Sequence, residues 1–205
     1  MRETIKVGLV QINNSFSNQN YLPLSIGMLQ AYAQRYLRQP DRFEFLLPVY
    51  TRVPISQAVE RVEGADVVFF SLYVWNFRIS VEVAKLIKAR HPQTLVVFGG
   101  PHVPERPDQA EAFMRRHPFV DLACHGEGER VAVDILEHYE SRDWEAVPSV
   151  SFIQGDRVVR TPKATRINEL ATVPSPYLDG VFLPLIEAYP SEHWIGLWET
   201  NRGCP

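Results

Sequence analysis

Hydrophobic patterning alternates between strand-like and helix-like segments through the first 140 or so residues, and few folds accept that alternation. Ile5 to Gln11 is rich in Val, Ile and Leu and reads as a strand. Pro23 to Tyr36 has helical spacing at Leu24, Met28, Leu29 and Tyr32, with Pro23 suited to a first helical position. Phe43 to Leu47 reads as a second strand and Ile55 to Val62 as a short helix. Val67 to Ser71 is continuously apolar, as in a central strand covered on both faces. Ile79 to Arg90 repeats the helical period, and Leu95 to Phe98 is another buried strand closed by Gly99-Gly100-Pro101. A helix near Asp108 to Arg116, a strand near Val120 to Cys124 and a helix over Glu127 to Tyr139 complete the series.

Alternation of this kind predicts an α/β fold, a parallel sheet with helices on both faces. The flavodoxin-like (Rossmann-type) order 2-1-3-4-5 is the expected topology for five strands. In such sheets a ligand sits outside the carboxyl ends of the strands, near the switch between the first and third. Function is therefore expected in four loops: Ile12 to Leu22, Leu72 to Arg78, Gly99 to Pro107, and His125 to Glu129. After Trp144 the pattern changes. Val150 to Ile153 and Val158 to Arg160 flank Gly155-Asp156 and read as a hairpin. Thr172 to Pro190 is Pro-rich and reads as an ordered linker. The apolar run Trp194 to Trp198 then reads as a short buried strand leading into Asn201-Arg202-Gly203-Cys204-Pro205.

Bulk properties narrow the function classes. With 45% hydrophobic and 22% charged residues the chain is globular, and a net charge of -3 gives no footprint for nucleic acid or anionic membranes. No apolar stretch reaches the length of a membrane span, and Met1 to Thr4 lead straight into a strand, which predicts no signal peptide. Two Cys, Cys124 and Cys204, form no disulfide framework, in keeping with a reducing cytoplasm.

The loops differ in what they offer. Asn13 to Asn20 is long and polar but holds no G-x-G-x-x-G cradle and no acidic cluster, which argues against a dinucleotide or phosphoacceptor site. Ser71-Leu72-Tyr73 and Val74-Trp75-Asn76 place aromatic residues at the ligand edge. They suit either a flat, partly apolar ligand or packing of Trp75 under the next helix. Gly99-Gly100 means close approach to the backbone, or a tight turn preset by Pro101. Gly126-Glu127-Gly128-Glu129 opens a helix whose amides can hold a polar ligand group, while the two Glu also suit a helix start electrostatically. Residues two apart on a helix do not face each other, which disfavours a catalytic carboxylate pair. Of six His, none precedes His91, so the loop after the first strand supplies none. His91 and His117 precede Pro at helix ends and read as structural. His102 and His125 fall on ligand-facing loops as hydrogen-bonding residues, without a Cys and His set at metal spacing.

Together these residues resemble the N-terminal cobalamin-binding domain of cobalamin-dependent radical S-adenosylmethionine enzymes. The resemblance covers essentially the whole chain. It rests on Pro23-Leu24-Ser25-Ile26-Gly27, Ser71-Leu72-Tyr73, Gly99-Gly100-Pro101-His102, Gly126-Glu127-Gly128-Glu129, Val173-Pro174-Ser175-Pro176-Tyr177 and Asn201 to Pro205, in that order. The wider cobalamin-domain family carries D-x-H-x-x-G, then S-x-L, then G-G. Here Tyr73 replaces the Leu, and the first motif with its cobalt-binding His is missing.

The resemblance implies cobalamin bound base-off, with no protein His on cobalt. It places the nucleotide tail near Ser71 and Gly99-Gly100, the corrin over the strand ends, and Trp75 or a neighbour in its loop at the lower axial side. Cofactor contacts are implied at Asn13, Asn14, Ser15, Tyr21 and Leu22 of the first loop, and at Ser71, Leu72, Tyr73, Val74, Trp75 and Asn76 of the second. They are implied also at Gly99, Gly100, Pro101, His102 and Val103, and at Gly126, Glu127 and Gly128.

Cys204 matches the first Cys of a C-x-x-x-C-x-x-C loop that holds a [4Fe–4S] cluster and S-adenosylmethionine. The implied division is 1–143 cobalamin domain, 144–193 hairpin and linker, and 194–205 the start of a radical S-adenosylmethionine barrel, with Cys expected at the fourth and seventh positions after Cys204. The implied activity is methylation of an unactivated carbon, with the chain's own barrel, a small-molecule or peptide substrate and an external electron donor as partners. This stretch is not expected to be catalytic by itself. A corrinoid carrier without chemistry, a cyclase or rearrangement enzyme of the same family, and a domain for another flat cofactor such as flavin are the competing readings.

Overall fold

The computed structural model describes residues 4–199. Its frame is a twisted sheet built around β1 (Ile5–Asn13), which is buried at every position but one. A strand covered on both faces needs no polar alternation, which is why β1 and β5 (Val67–Ser71) are apolar runs. Parallel pairing runs from β3 (Phe43–Phe45) through β1, β5, β6 (Leu95–Gly99) and β7 (Leu122–Cys124). This is the expected 2-1-3-4-5 order.

Two details differ from the sequence expectation. The second strand is split: β3 pairs with the start of β1, and β4 (Val49–Thr51) pairs with its end, around Val10 and Asn13. Pro48 sits at the break, where it offers no N–H to a ladder. The hairpin, β8 (Val150–Gln154) and β9 (Arg157–Arg160), continues the same sheet. It pairs antiparallel to β7, with Ala123 opposite Ser151 and Cys124 opposite Val150.

Successive side chains of the central strands point to opposite faces. Val67, Phe69 and Val97 join one buried cluster, with α1 (Leu24–Tyr36) and α5 (Glu129–Glu137). Val68, Phe70 and Phe98 join the other, beneath α2 (Ile55–Glu60), α3 (Phe77–Arg90) and α4 (Pro107–Arg116).

The remaining chain is more structured than its Pro content predicts. The segment read as linker contains α6 (Leu183–Ala188), with Pro184 in its first turn. Phe182, just before α6, packs against Gly27 of α1 so closely that a Cβ there would lie 2.3 Å from the ring. The long first loop turns at Ser17 and Asn18, both at positive φ, and returns as β2 (Gln19–Tyr21). β2 pairs in parallel with β10 (His193–Ile195), forming a second, two-stranded sheet. The strand expected over 194–198 is therefore shorter and lies beside the first loop. Cys204 lies outside the described residues. Among the described residues, no helix is long and apolar enough to cross a membrane.

Candidate functional site

The carboxyl ends of β5, β6 and β7 open into a cleft of about 340 Å³ that runs inward between the sheet and the pair α1 and α5. Ser71, Gly99 and Gly100 frame its mouth, and Phe69, Val97 and Cys124 form its floor. Ser25, Met28 and Leu29 wall it from α1, and Glu129 and Ala132 from α5. Size and lining fit an organic ligand with one flat apolar part.

The adjacent glycines have different reasons to be glycine. Gly100 has φ +92, and a Cβ there would stand 2.7 and 2.8 Å from the backbone N and O of Leu72. The turn it makes is stitched by Leu72 N–H to Gly99 O (2.7 Å) and His102 N–H to Leu72 O (3.1 Å). Gly99 carries no such constraint, since its nearest neighbours would be 3.7 Å or more from a Cβ. Its missing side chain leaves space in the cleft and serves no packing need of the protein.

The loop after β5 is locked from within. Asn76 is fully buried, donates from Nδ2 to Ser71 O (3.0 Å) and accepts the Tyr73 N–H at Oδ1 (2.8 Å). Both ends of its amide are thus used to hold the loop, and Leu72 is buried in the core. Tyr73 shares a 2.6 Å hydrogen bond between its hydroxyl and Ser25 Oγ. Trp75 stacks on Tyr73 at 4.5 Å and 14°, and 45% of it stays exposed beside the exposed Val74. Of the two readings of Trp75, the ring is not packed under α3. It presents an aromatic platform at the strand ends.

The other predicted residues divide between the site and its surroundings. Tyr73, Pro101, Gly126, Glu127 and Gly128 line the cleft. Asn14 and Ser15 are exposed on the first loop. Arg52 binds that loop to the platform by donating from Nε to Asn14 Oδ1 (2.7 Å) and from the guanidinium to Trp75 O. Asn13 is buried, with no partner for its Nδ2 among the described residues. Tyr21 lies on β2, and Leu22 is buried against Tyr50, Phe182 and Leu185, away from the cleft. Val103 is a core residue, and the His102 ring rests against Phe77 at 4.4 Å.

Two titratable groups deep in the cleft, Cys124 and His125, are shifted towards their neutral forms. Burial pushes the Cys124 thiol up to about 12, so it is not a thiolate ligand. Burial, aided by Arg160, pulls His125 down to about 4, and its Nε2 lies 2.7 Å from Ser151 Oγ. Among the described residues no cluster of His, Cys, Asp or Glu could hold a metal ion.

Sequence patterns missed two parts of this site. The α1 and α5 wall follows from helical spacing but is indistinguishable there from ordinary core. The strap after β9, which brings Lys163, Ala164 and Ile167 to the rim, gave no local signal. It reaches the cleft only because the hairpin pairs with β7.

Fold and cleft together define a cofactor-binding α/β domain of doubly wound type. Its residues 26–136, more than half of the chain, match the model of the B12 binding domain. The chain belongs to this family, whose ligand is cobalamin. It is 42% identical to the cobalamin-dependent radical SAM methyltransferase TokK of Streptomyces tokunonensis. It is 40% identical to the 2-(S-pantetheinyl)-carbapenam-3-carboxylate methyltransferase of Streptantibioticus cattleyicolor. Each match covers 90% of this chain and 27% of the relative, so the chain spans about a quarter of the relatives' length. The fold is similar to that of the cobalamin-dependent S-adenosylmethionine radical enzyme OxsB, solved with aqua-cobalamin and S-adenosylmethionine. The TM-score is 0.72 at 22% identity, over 98% of this chain and 27% of that one.

The residues fit the cofactor. A nucleotide base is flat and apolar, as the floor of Phe69 and Val97 requires, and the void at Gly99 leaves it a passage.

Proposed function

We propose that this chain is the cobalamin-holding part of a radical S-adenosylmethionine methyltransferase. One observation carries the reading: a cleft beside Ser71 and Gly99 that the protein leaves empty of side chains, in a chain 42% identical to such an enzyme. Bound cobalamin supplies a transferable methyl group. The protein's part is to hold and orient it. Ser71, Gly99 and Gly100 frame the nucleotide tail. Tyr73 and Trp75 would offer the corrin a stacked aromatic platform at the strand ends, shielding it from water. The loop after the first strand supplies no His, the His102 ring rests on Phe77, and His125 is buried against Ser151. With no imidazole supplied from these loops, the cleft would hold the tail away from the corrin.

A second groove, of about 370 Å³, lies on the far side of Met28 and is lined by Leu24, Val173, Pro176, Tyr177 and Trp198. Leu178 and Trp198 stand 89% and 85% exposed there. This apolar face is where we place the barrel that carries the cluster and S-adenosylmethionine, with Cys204 as the first of its thiolates. Such a cluster calls for a reducing compartment, the cytoplasm. An external electron donor and a small-molecule or peptide substrate complete the reading.

The test is purification of the chain with hydroxocobalamin. A corrin absorbance band is expected to stay with the protein, and a colourless product would end the proposal. After reduction to cob(II)alamin, the EPR spectrum is expected to lack axial nitrogen superhyperfine splitting. Observed splitting would refute the absence of an imidazole on cobalt.

A further inference from the structure

We propose that the strap 161–167 is a specificity element that reads the phosphodiester of the nucleotide tail, with Lys163 and Arg166 as its two cations. The inference rests on the cobalamin reading above and assigns residues to it that lie outside the family match at 26–136.

The strap is pinned at both ends and loosely held between. At its start, Thr161 is buried and its N–H and hydroxyl pair with Val150, while Ser149 N–H donates to Pro162 O (2.8 Å). Ala164 N–H donates to Ser149 Oγ (2.7 Å). At its end, Ile167 is buried in the core under α1 and α5, and its N–H donates to Glu127 Oε2 (2.8 Å). Between these anchors the strap crosses the rim of the cleft, against the loops that follow β6 and β7. Lys163 Nζ lies 3.0 Å from Glu105 Oε2, and Arg166 Nε lies 3.8 Å from Glu127 Oε1.

The exposure of these cations is what makes them available. Lys163 and Arg166 are 61% and 69% exposed, and such ion pairs contribute little and exchange readily. A phosphodiester at the mouth accepts short charge-assisted hydrogen bonds from the same donors. It is also the one anionic group between corrin and base, so it passes the rim when the base lies on the floor. The backbone of Gly126, with φ +76, has only the Lys163 Cε (3.7 Å) and Glu105 Oε1 (4.0 Å) near its absent side chain, which leaves that corner open. The strap thereby favours complete cobalamin over corrinoids that lack the nucleotide tail.

Cobinamide, which has the corrin but no tail, separates the two terms. Dissociation constants for hydroxocobalamin and cobinamide are measured by tryptophan fluorescence on the full chain and on K163A/R166A. The double variant is expected to lose about tenfold in cobalamin affinity and less than twofold for cobinamide, since each exposed cation gives up a carboxylate pair on binding and the two together are then worth about one charge-assisted bond. K163R/R166K, which keeps both charges, is expected to bind as the parent does. Cobalamin, but not cobinamide, is expected to slow tryptic cleavage after Lys163 and Arg166, read by mass spectrometry. Equal losses for both ligands, or an unchanged cobalamin affinity, would overturn the strap's role and leave the cobalamin assignment standing. A parent chain that binds neither corrinoid would overturn both.

Discussion

Gly99 and Gly100 show how far apart the demands on two neighbouring residues of one type can be. At Gly100 a side chain meets the Leu72 backbone, and the positive φ adds strain. Gly100→Ala is expected to cost about 3 kcal/mol of stability. At Gly99 a methyl group finds ordinary contacts at 3.7 Å, so Gly99→Ala is expected to change stability by less than about 0.5 kcal/mol. Its methyl instead fills the passage to the cleft floor, and cobalamin affinity is expected to drop about tenfold, a little over 1 kcal/mol. Thermal melts paired with cobalamin titrations separate the two effects. A Gly99→Ala protein that binds cobalamin like the parent would place the tail elsewhere. The Gly-Gly pair is visible in the sequence, but which glycine serves the fold and which the ligand depends on where Leu72 and Cys124 come to lie.

Among the elements, α6 departs most from its sequence signal. A Pro-rich stretch reads as linker because each proline removes a backbone donor. Yet Pro184 falls in the first turn, where no donor is needed, and Phe182 finds a socket over Gly27. Phe182 is buried with Leu22, Tyr50 and Leu185 in a cluster of its own, apart from the two sheet faces. Phe182→Ala is expected to cost about 3 kcal/mol locally. Hydrogen exchange would then show lost protection over residues 183–188 and retained protection in β5 and β6. Equal loss in β5 and β6 would mean that α6 unfolds only with the core. β2 and β10 teach the same lesson. β2 is too short to register as a strand, β10 is shorter than the strand read over 194–198, and the two pair because residues more than 170 apart in sequence meet.

For the whole molecule, the buried histidines govern response to acid. His125 joins β7 to β8 through Ser151, and His117 lies among Phe77, Phe113 and Phe119. Burial lowers both, His125 to about 4. His125 stays neutral in the folded protein down to about pH 4, and unfolding lets both histidines take up a proton more readily once the pH is below about 6.5. The unfolded state then binds more protons, so stability falls as the pH drops from 6.5 towards 4. For His125 the loss at pH 5 is of order 1–2 kcal/mol. Melting temperature is expected to decline from pH 7 to pH 5, with a shallower decline in His125→Gln. Identical slopes would exclude His125 as a source.

The sequence by itself determined the alternation of strands and helices, and with it a parallel sheet whose expected order, 2-1-3-4-5, is the one found. The alternation follows from local periodicity, which acts over a few tens of residues, and the order from the small set of topologies that such units adopt. Only the tertiary structure decided the rest: that the hairpin extends the sheet, that its return lays Lys163 and Arg166 across the cleft, and that Asn76 serves the loop. These depend on contacts between residues far apart in the chain, and no local pattern records which distant backbone a side chain will meet.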